Sequence, residues 1–319
     1  MRLASFAING SQRWGFVRPD GNLVDAGIAY AAAFESEAPH SVLEVIEGGD
    51  SAREKAAEAA AKAEHCDPLD PTRLEWLPPV RRPGKIIGVA LNHPEWMKQA
   101  VKPFTQPALF LKAPSALVGH GAAIEVAQDF GLTHPEPELA VIIGSVTKNI
   151  APADALSAIF GYAIVNDVTS PGLKDQDSIQ LENNGKGPQN IWRRAPDGDT
   201  DVYSTYLARA KSSDSFAPMG PYLASADEIQ DPDNLNVKAW LGDKQYADDN
   251  TGNLIFGVAE VIAHASRTMT LHPGDIIMMG TAAMPVDIGI KQADMTKLQG
   301  PSRIEIEGLG VLENPIQVA

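Results

Sequence analysis

Short apolar runs separated by Gly and Pro turns recur from Lys85 onward: Ile86 to Ala90, Ala108 to Leu111, Leu139 to Ile143, Tyr162 to Val165, Val237 to Leu241, Asp275 to Met279 and Arg303 to Ile306. Runs of this length bounded by turn residues predict strands. Many short strands and few helices predict a folded or rolled mixed sheet rather than a doubly wound one, an α+β fold that is mainly β. One helix is expected where Leu254, Ile255, Val258, Val261, Ile262 and Ala265 form an apolar stripe, ending near Pro273-Gly274. Before Lys85 the pattern changes. Leu3 to Ile8 and Arg13 to Val17 read as a hairpin across Asn9-Gly10, with a second turn at Asp20-Gly21. Ser51 to about Glu64 is rich in Ala, Glu and Lys, a helix with Ser51 as its N-cap. A Pro-rich passage from Pro78 to Gly84 marks a boundary. Residues 1–78 are therefore assigned to a small N-terminal α/β domain, and 79–319 to a larger domain. The polar stretch from Pro171 to Ser204 reads as a long loop or lid.

The candidate chemistry lies at strand ends. Glu136 and Glu138 stand two residues apart just before the Leu139 to Ile143 run, so they point to the same face. Two carboxylates aimed together into a protein repel and lose hydration unless a cation lies between them. A third carboxylate, Asp167, ends the next apolar strand. Three such oxygens suit a hard cation, Mg2+ or Mn2+. Zinc is disfavoured because no His/Cys cluster has suitable spacing.

Composition narrows the function classes. The 319 residues carry a net charge of −15 with no basic run, which argues against nucleic-acid binding. An acidic chain that binds anions needs a local positive centre, which a divalent ion supplies. A single cysteine, Cys66, allows no internal disulfide and fits a reducing cytoplasm. The first residues lack a signal-peptide core and no run reaches membrane-spanning length, so the expectation is a cytoplasmic protein with no membrane partner.

The ordered set of motifs resembles the fumarylacetoacetate hydrolase family over nearly the whole chain. The pieces are Lys85-Ile86-Ile87-Gly88-Val89-Ala90-Leu91-Asn92, Leu111-Lys112, Leu117-Val118-Gly119, Glu136-x-Glu138-Leu139-Ala140-Val141, and Gly161-Tyr162 through Asn166-Asp167-Val168. Lys211-Ser212-x-Asp214-Ser215-Phe216-x-Pro218-Met219-Gly220-Pro221, Asn250-Thr251, Pro273-Gly274-Asp275-Ile276-Ile277 and Gly280-Thr281 complete them. The resemblance implies a mixed β-roll core, a homodimer, and a Mg2+ or Mn2+ site at Glu136, Glu138 and Asp167. It implies 2-oxo or β-diketo acid substrates whose carboxylate and keto oxygens chelate the ion, which stabilises an enolate oxygen. Lys211 would hold the substrate carboxylate or the enolate, and Thr281 would offer it a hydroxyl. Asn92 and Trp96 fall among the substrate-binding positions.

Two departures bear on the reaction. Hydrolytic members carry a His–Glu pair after the Asn of the opening strand, and counting from Asn92 places Trp96 and Gln99 there. Neither is a general base near neutral pH. His93 and Glu95, in the same segment, are the candidate replacements. After Asp167, Val168-Thr169-Ser170-Pro171-Gly172 lacks the Ser-Ala-Arg-Asp pattern, so a substrate-binding cation is missing. His120 and His134 read as structural or rim residues. The leading expectation is a divalent-metal hydrolase that cleaves a C–C bond in a β-diketo or acylpyruvate-like acid. The alternatives are an isomerase, decarboxylase or dehydratase on a related 2-oxo acid, and a silent metabolite-binding homologue.

Overall fold

Alternation along the strand Pro137–Ile143 places it between two apolar layers. Leu139, Val141 and Ile143 pack with Val261 and Ile262 of the helix Val258–Thr268 and with Val237 and Leu241 of a second sheet. Ala140 and Ile142 face the other way, into a cluster with Trp14, Phe16, Tyr30 and Ala56. The computed structural model describes residues 1–34, 36–98, 103–182 and 201–319. Strand content exceeds helix content, as the short apolar runs predict.

The main sheet has eleven strands. Its central order runs Arg2–Ile8, Ala217–Ser225, Ile159–Asn166, Pro137–Ile143, Ile276–Met278, Ile86–Ala90 and Ala108–Lys112. A four-stranded sheet, Lys244–Asn250, Asn236–Leu241, Ser302–Ile306 and Gly310–Asn314, packs beside it. The expected hairpin forms across Asn9-Gly10, and both residues have positive φ, as a tight two-residue turn requires. Its first strand pairs antiparallel with Ala217–Ser225, so the N-terminal residues extend the same sheet while helices Ala26–Ala33, Val42–Glu47 and Gly49–Ala63 cover one face. Among the described residues, no helix is long and apolar enough to cross a membrane.

Three expectations shift in detail. The Ala-rich helix starts at Gly49 with Gly48 as N-cap, so Ser51 lies in its first turn. The apolar stripe begins its helix at Val258, four residues after Leu254. Leu254 to Phe256 are held outside the helix because Asn92 accepts the Ile255 N–H through its carbonyl (3.1 Å) and the Phe256 N–H through Oδ1 (2.8 Å). The segment read as a lid opens with the helix Pro171–Gln176 and contains the paired strands Ser178–Glu182 and Asp201–Thr205. Residues 183–200 of that segment lie outside the described residues.

The Asn92 side chain is a structural link. Beyond Phe256 N–H it donates to Phe256 O at 3.0 Å and Met279 O at 2.7 Å, joining three chain segments in a buried position. Replacing it by Ala would leave these backbone groups without partners, and each unsatisfied buried group costs about 1–3 kcal/mol. We expect Asn92→Ala to lower unfolding free energy by about 2–4 kcal/mol in urea titration. Unchanged stability with impaired substrate binding alone would contradict this role.

Candidate active site

Register brings the three carboxylates together. Val165 pairs with Glu138 and Asn166 with Pro137, and the Asp167 N–H then donates to Glu136 O at 2.9 Å. Glu136, Glu138 and Asp167 each offer an oxygen, all within 4.8 Å of one another, and all three residues are buried. At that spacing each pair of charges repels by about 3 kcal/mol at an effective dielectric of 20. Two lysines offset this. Lys112 pairs with Asp167 Oδ1 and donates to Val168 O at 3.1 Å, and its side chain is fully buried. Lys211 pairs with Asp167 Oδ2 and with Glu136 Oε2 at 3.0 Å.

Lys112 also reports the shape of the sheet. It sits on the edge strand, four strand spacings from the Asp167 strand, or about 19 Å across a flat sheet. A lysine side chain cannot span that distance. The contact requires the sheet to curl, which brings its edge back over the strand ends.

Glu138 has no cation of its own. It accepts the Gly280 N–H at 2.8 Å and lies 3.1 Å from the Thr281 hydroxyl, which is also 3.2 Å from Glu136 Oε2. One hydroxyl proton cannot serve both carboxylates. Burial, then the charges of Asp167 and Glu136, push the Glu138 carboxyl well above its ordinary range. Burial acts the same way on Glu136, but the adjacent Lys211 ammonium outweighs it and holds Glu136 down to about 2. Lys211 is itself driven upward, since its three carboxylate neighbours outweigh its own desolvation. Three carboxylates against two ammoniums leave a net negative centre of hard oxygen donors. That donor set fits Mg2+ or Mn2+.

The triad opens onto a cavity of about 480 Å3 lined by Val89, Leu91, Trp96, Phe110, His134 and Lys174, with Lys211, Thr281 and Lys291. The Phe110 ring lies 4.8 Å from Lys211 Nζ and packs so closely on Gly88 that a Cβ there would approach its Cζ to 2.1 Å. Lys291 Nζ lies 5.2 Å from the centre of the Trp96 ring. A larger cleft of about 640 Å3 lies between the Gly49–Ala63 helix and the N-terminal strands. Its wall mixes Arg2, Arg18 and Arg53 with Asp227 and Glu228, groups that include paired charges. The acidic triad is in the smaller cavity.

Of the expected site residues, Glu136, Glu138, Asp167, Lys211, Thr281 and Trp96 share this cavity, whereas His93, Glu95 and Asn92 do not line it. His93 is buried elsewhere. Its Nδ1 accepts the Glu95 N–H at 3.1 Å, and its Nε2 lies 3.1 Å from Asp249 Oδ2 without the alignment of a hydrogen bond. Asp249 in turn accepts the N–H groups of Ala283 (2.7 Å) and Met284 (3.0 Å), which fixes the segment after Thr281. Glu95 pairs with Lys98 at the surface. The short helix Pro94–Met97 explains the split, because capping it turns His93 inward while Trp96 faces the cavity. Gln99 lies outside the described residues.

His134, expected at the rim, stands on the cavity wall with Nδ1 3.7 Å from Glu136 Oε1 and no hydrogen bond to that atom. Burial lowers its pKa, with Lys211 and Lys174 adding to the effect against the pull of Glu136. His120 is structural, accepting the Glu313 N–H at 3.1 Å and packing edge-on against Trp76. Lys112, Lys174, Lys291 and Phe110 were not singled out from the sequence as site residues. Lys112 carries a local signal, a lone charge ending an apolar strand, whereas Lys291 carries none.

Comparison with known proteins places these features in a family. Residues 85–317 match the model of the C-terminal domain of fumarylacetoacetate hydrolase. A mitochondrial oxaloacetate tautomerase of Xenopus laevis is 30% identical over 322 residues, covering 99% of this chain and 90% of that protein. A maleylpyruvate hydrolase from Sphingobium sp., solved with manganese(II) and pyruvate, is 27% identical with a TM-score of 0.71, covering 100% of both chains. A fumarylacetoacetate hydrolase from Exiguobacterium antarcticum is 26% identical with a TM-score of 0.72 and the same coverage.

The raised Glu138 fixes the sign of a pH effect. A carboxyl whose folded pKa exceeds its unfolded value destabilises the ion-free fold as pH rises through that interval. Proton and divalent ion compete for it, so ion affinity falls as pH falls. We expect the melting temperature of chelated protein to drop from mildly acidic to neutral pH, and added Mn2+ to restore most at neutral pH. Saturation at 100 times Kd would contribute about 2.7 kcal/mol. In Glu138→Gln both the slope and the Mn2+ response should largely vanish. A Mn2+ response independent of pH would count against Glu138 as a ligand.

Proposed function

Since the chain belongs to the fumarylacetoacetate hydrolase family, we propose that it is a divalent-ion-dependent isomerase of the keto–enol type, acting on a 2-oxo acid. The observation that carries this reading is the wall of the cavity. Among the described residues it offers a carboxylate triad, cationic lysines and a lone imidazole, His134, whose neighbouring Glu136 belongs to the triad, so no separate His–Glu pair stands there to activate water. Glu136, Glu138 and Asp167 would hold Mg2+ or Mn2+. The bound ion would supply Lewis acidity to the keto oxygen.

The remaining work falls to side chains. Lys211, fully charged, binds the substrate carboxylate or steadies the negative oxygen that develops on enolisation. His134, kept unprotonated by burial, has a vacant Nδ1 on the same wall and takes the proton from C3. Trp96 and Phe110 form apolar flanks that limit water, and Thr281 offers its hydroxyl to the substrate. The proton that His134 takes from C3 is returned to the enolate oxygen, so the exchange between carbon and oxygen balances without an activated water. The likeness to an oxaloacetate tautomerase supports this reading.

C–C hydrolysis, the leading expectation from the sequence, is the second reading. The likeness to maleylpyruvate hydrolase over the whole chain favours it. It requires an activated water, and with His93 and Glu95 off the cavity wall His134 is the imidazole among the described residues placed to generate one there.

In D2O with Mn2+, we expect solvent deuterium to enter C3 of a 2-oxo acid substrate, with any product isobaric with it apart from the label. His134→Gln should lower kcat for exchange by about 10²–10⁴, the usual contribution of a general base. A wild-type rate in that variant would remove His134 from the role. Products carrying added water and a broken C–C bond would replace isomerisation by hydrolysis.

A further inference from the structure

Behind the triad, the backbone of Glu136 is held partly by a side chain. Proline stands on both sides of it, at 135 and 137, so Glu136 carries the one backbone N–H of that stretch. Residues 134–138 run antiparallel to 165–169 in one register. His134 exchanges both hydrogen bonds with Thr169, at 2.9 and 3.0 Å, and Val165 lies opposite Glu138. The same register sets Glu136 opposite Asp167, where a second reciprocal pair of bonds is due. Only half of that pair forms. The Asp167 N–H donates to Glu136 O at 2.9 Å, but the Glu136 N–H donates to the side-chain Oδ1 of Asn166, also at 2.9 Å. The Asp167 carbonyl accepts the Thr169 hydroxyl instead, at 3.0 Å.

Asn166 is buried, and its neighbours fix which way its amide faces. An N–H can only donate, so Oδ1 faces Glu136 and Nδ2 faces away. Nδ2 donates to Ser302 Oγ at 3.1 Å, on the strand Ser302–Ile306 of the second sheet. The side chain is therefore pinned at both ends, and neither bond can be kept if it turns. We infer that Asn166 is a positioning residue: by standing in for the Asp167 carbonyl, its amide sets the spacing of the Glu136 and Asp167 carboxylates that hold the ion. Lys211 joins the two carboxylates from the cavity side. Asn166 acts from the opposite side of the strand, through the Glu136 peptide, because successive side chains point to opposite faces. Partners of this kind orient ligand groups without touching the ion.

This inference rests on the proposed function in taking a divalent ion as the occupant of the triad, and the experiment separates the two. Asn166→Leu keeps the volume and removes the acceptor, with Asn166→Ala in its place should the Leu variant not fold. Calorimetry gives Mn2+ affinity, the electron paramagnetic resonance spectrum gives the symmetry of the bound ion, and ion-free crystal structures give the carboxylate positions. We expect Asn166→Leu to weaken Mn2+ binding about 10–100-fold and to alter the spectrum. In the ion-free crystals the Glu136 and Asp167 carboxylates should shift relative to one another by about 1 Å. Asn166→Asp keeps an acceptor for the Glu136 N–H, so it should retain the affinity although its buried charge lowers the melting temperature. Ser266, a buried hydroxyl outside the cavity wall, accepts the Ile150 N–H at 3.1 Å. Ser266→Ala should likewise lower the melting temperature and leave Mn2+ affinity unchanged. Carboxylates that stay in place, or an affinity that simply follows the melting temperature across the set, overturns the positioning role. Wild-type protein that binds no Mn2+, with the carboxylates displaced in the Leu variant, overturns the ion reading and leaves the positioning role standing.

Discussion

Three buried carboxylates within 4.8 Å cannot share a wall unless positive charge is brought to them, and the active-site end of the molecule is organised around that requirement. Asp167 takes two ammoniums, one from the edge strand of the main sheet and one from the short helix Ala208–Ser212. The Ser212 hydroxyl then accepts the N–H of Ala113, which ties the helix to the residue after Lys112. The two cations are therefore held by one another's supports. Glu138 is left with neutral donors, and this asymmetry makes the centre receptive to a divalent ion.

The apolar structure serves the same end by placing backbone rather than side chains where precision is needed. Gly280, with φ of +103°, presents its N–H to Glu138, and a Cβ there would meet the Asn92 side chain at 2.6 Å. Asn92 and Asp249 tie down the backbone on either side of Gly280-Thr281. Burial alone would raise the Asp249 carboxyl, but the close approach of His93 together with hydrogen bonds from Asn253 and the neighbouring amides holds it well below the usual carboxylate range. His93 thus shares in a rigid support behind the site.

Legibility in the sequence followed the range of the interaction. The seven apolar runs all became strands, because a short apolar run closed by turn residues is a local property, and burial on both faces preserves it. Glu136 and Glu138 were legible for the same reason, since two residues along a strand return to the same face. The Leu254 to Ala265 stripe was less legible. Its period continues through Leu254 and Ile255, yet Asn92, more than 160 positions away, takes the N–H groups of Ile255 and Phe256 out of the helix. His93 and Trp96 show the limit most clearly. They stand three residues apart on one short helix, and its capping decides which enters the cavity.

The sequence by itself determined seven core strands and the N-terminal hairpin, the three acidic side chains at strand ends, the lysine at 211 and the family. Each depends on neighbours along the chain or on motifs in fixed order. Only the tertiary structure decided that Lys112 reaches Asp167, that His134 rather than His93 faces the cavity, and that Lys174 and Lys291 join the same wall. Those assignments depend on how far the sheet curls and how the loops cross its end. Curl sums small twists over many strands, and no local spacing records the sum.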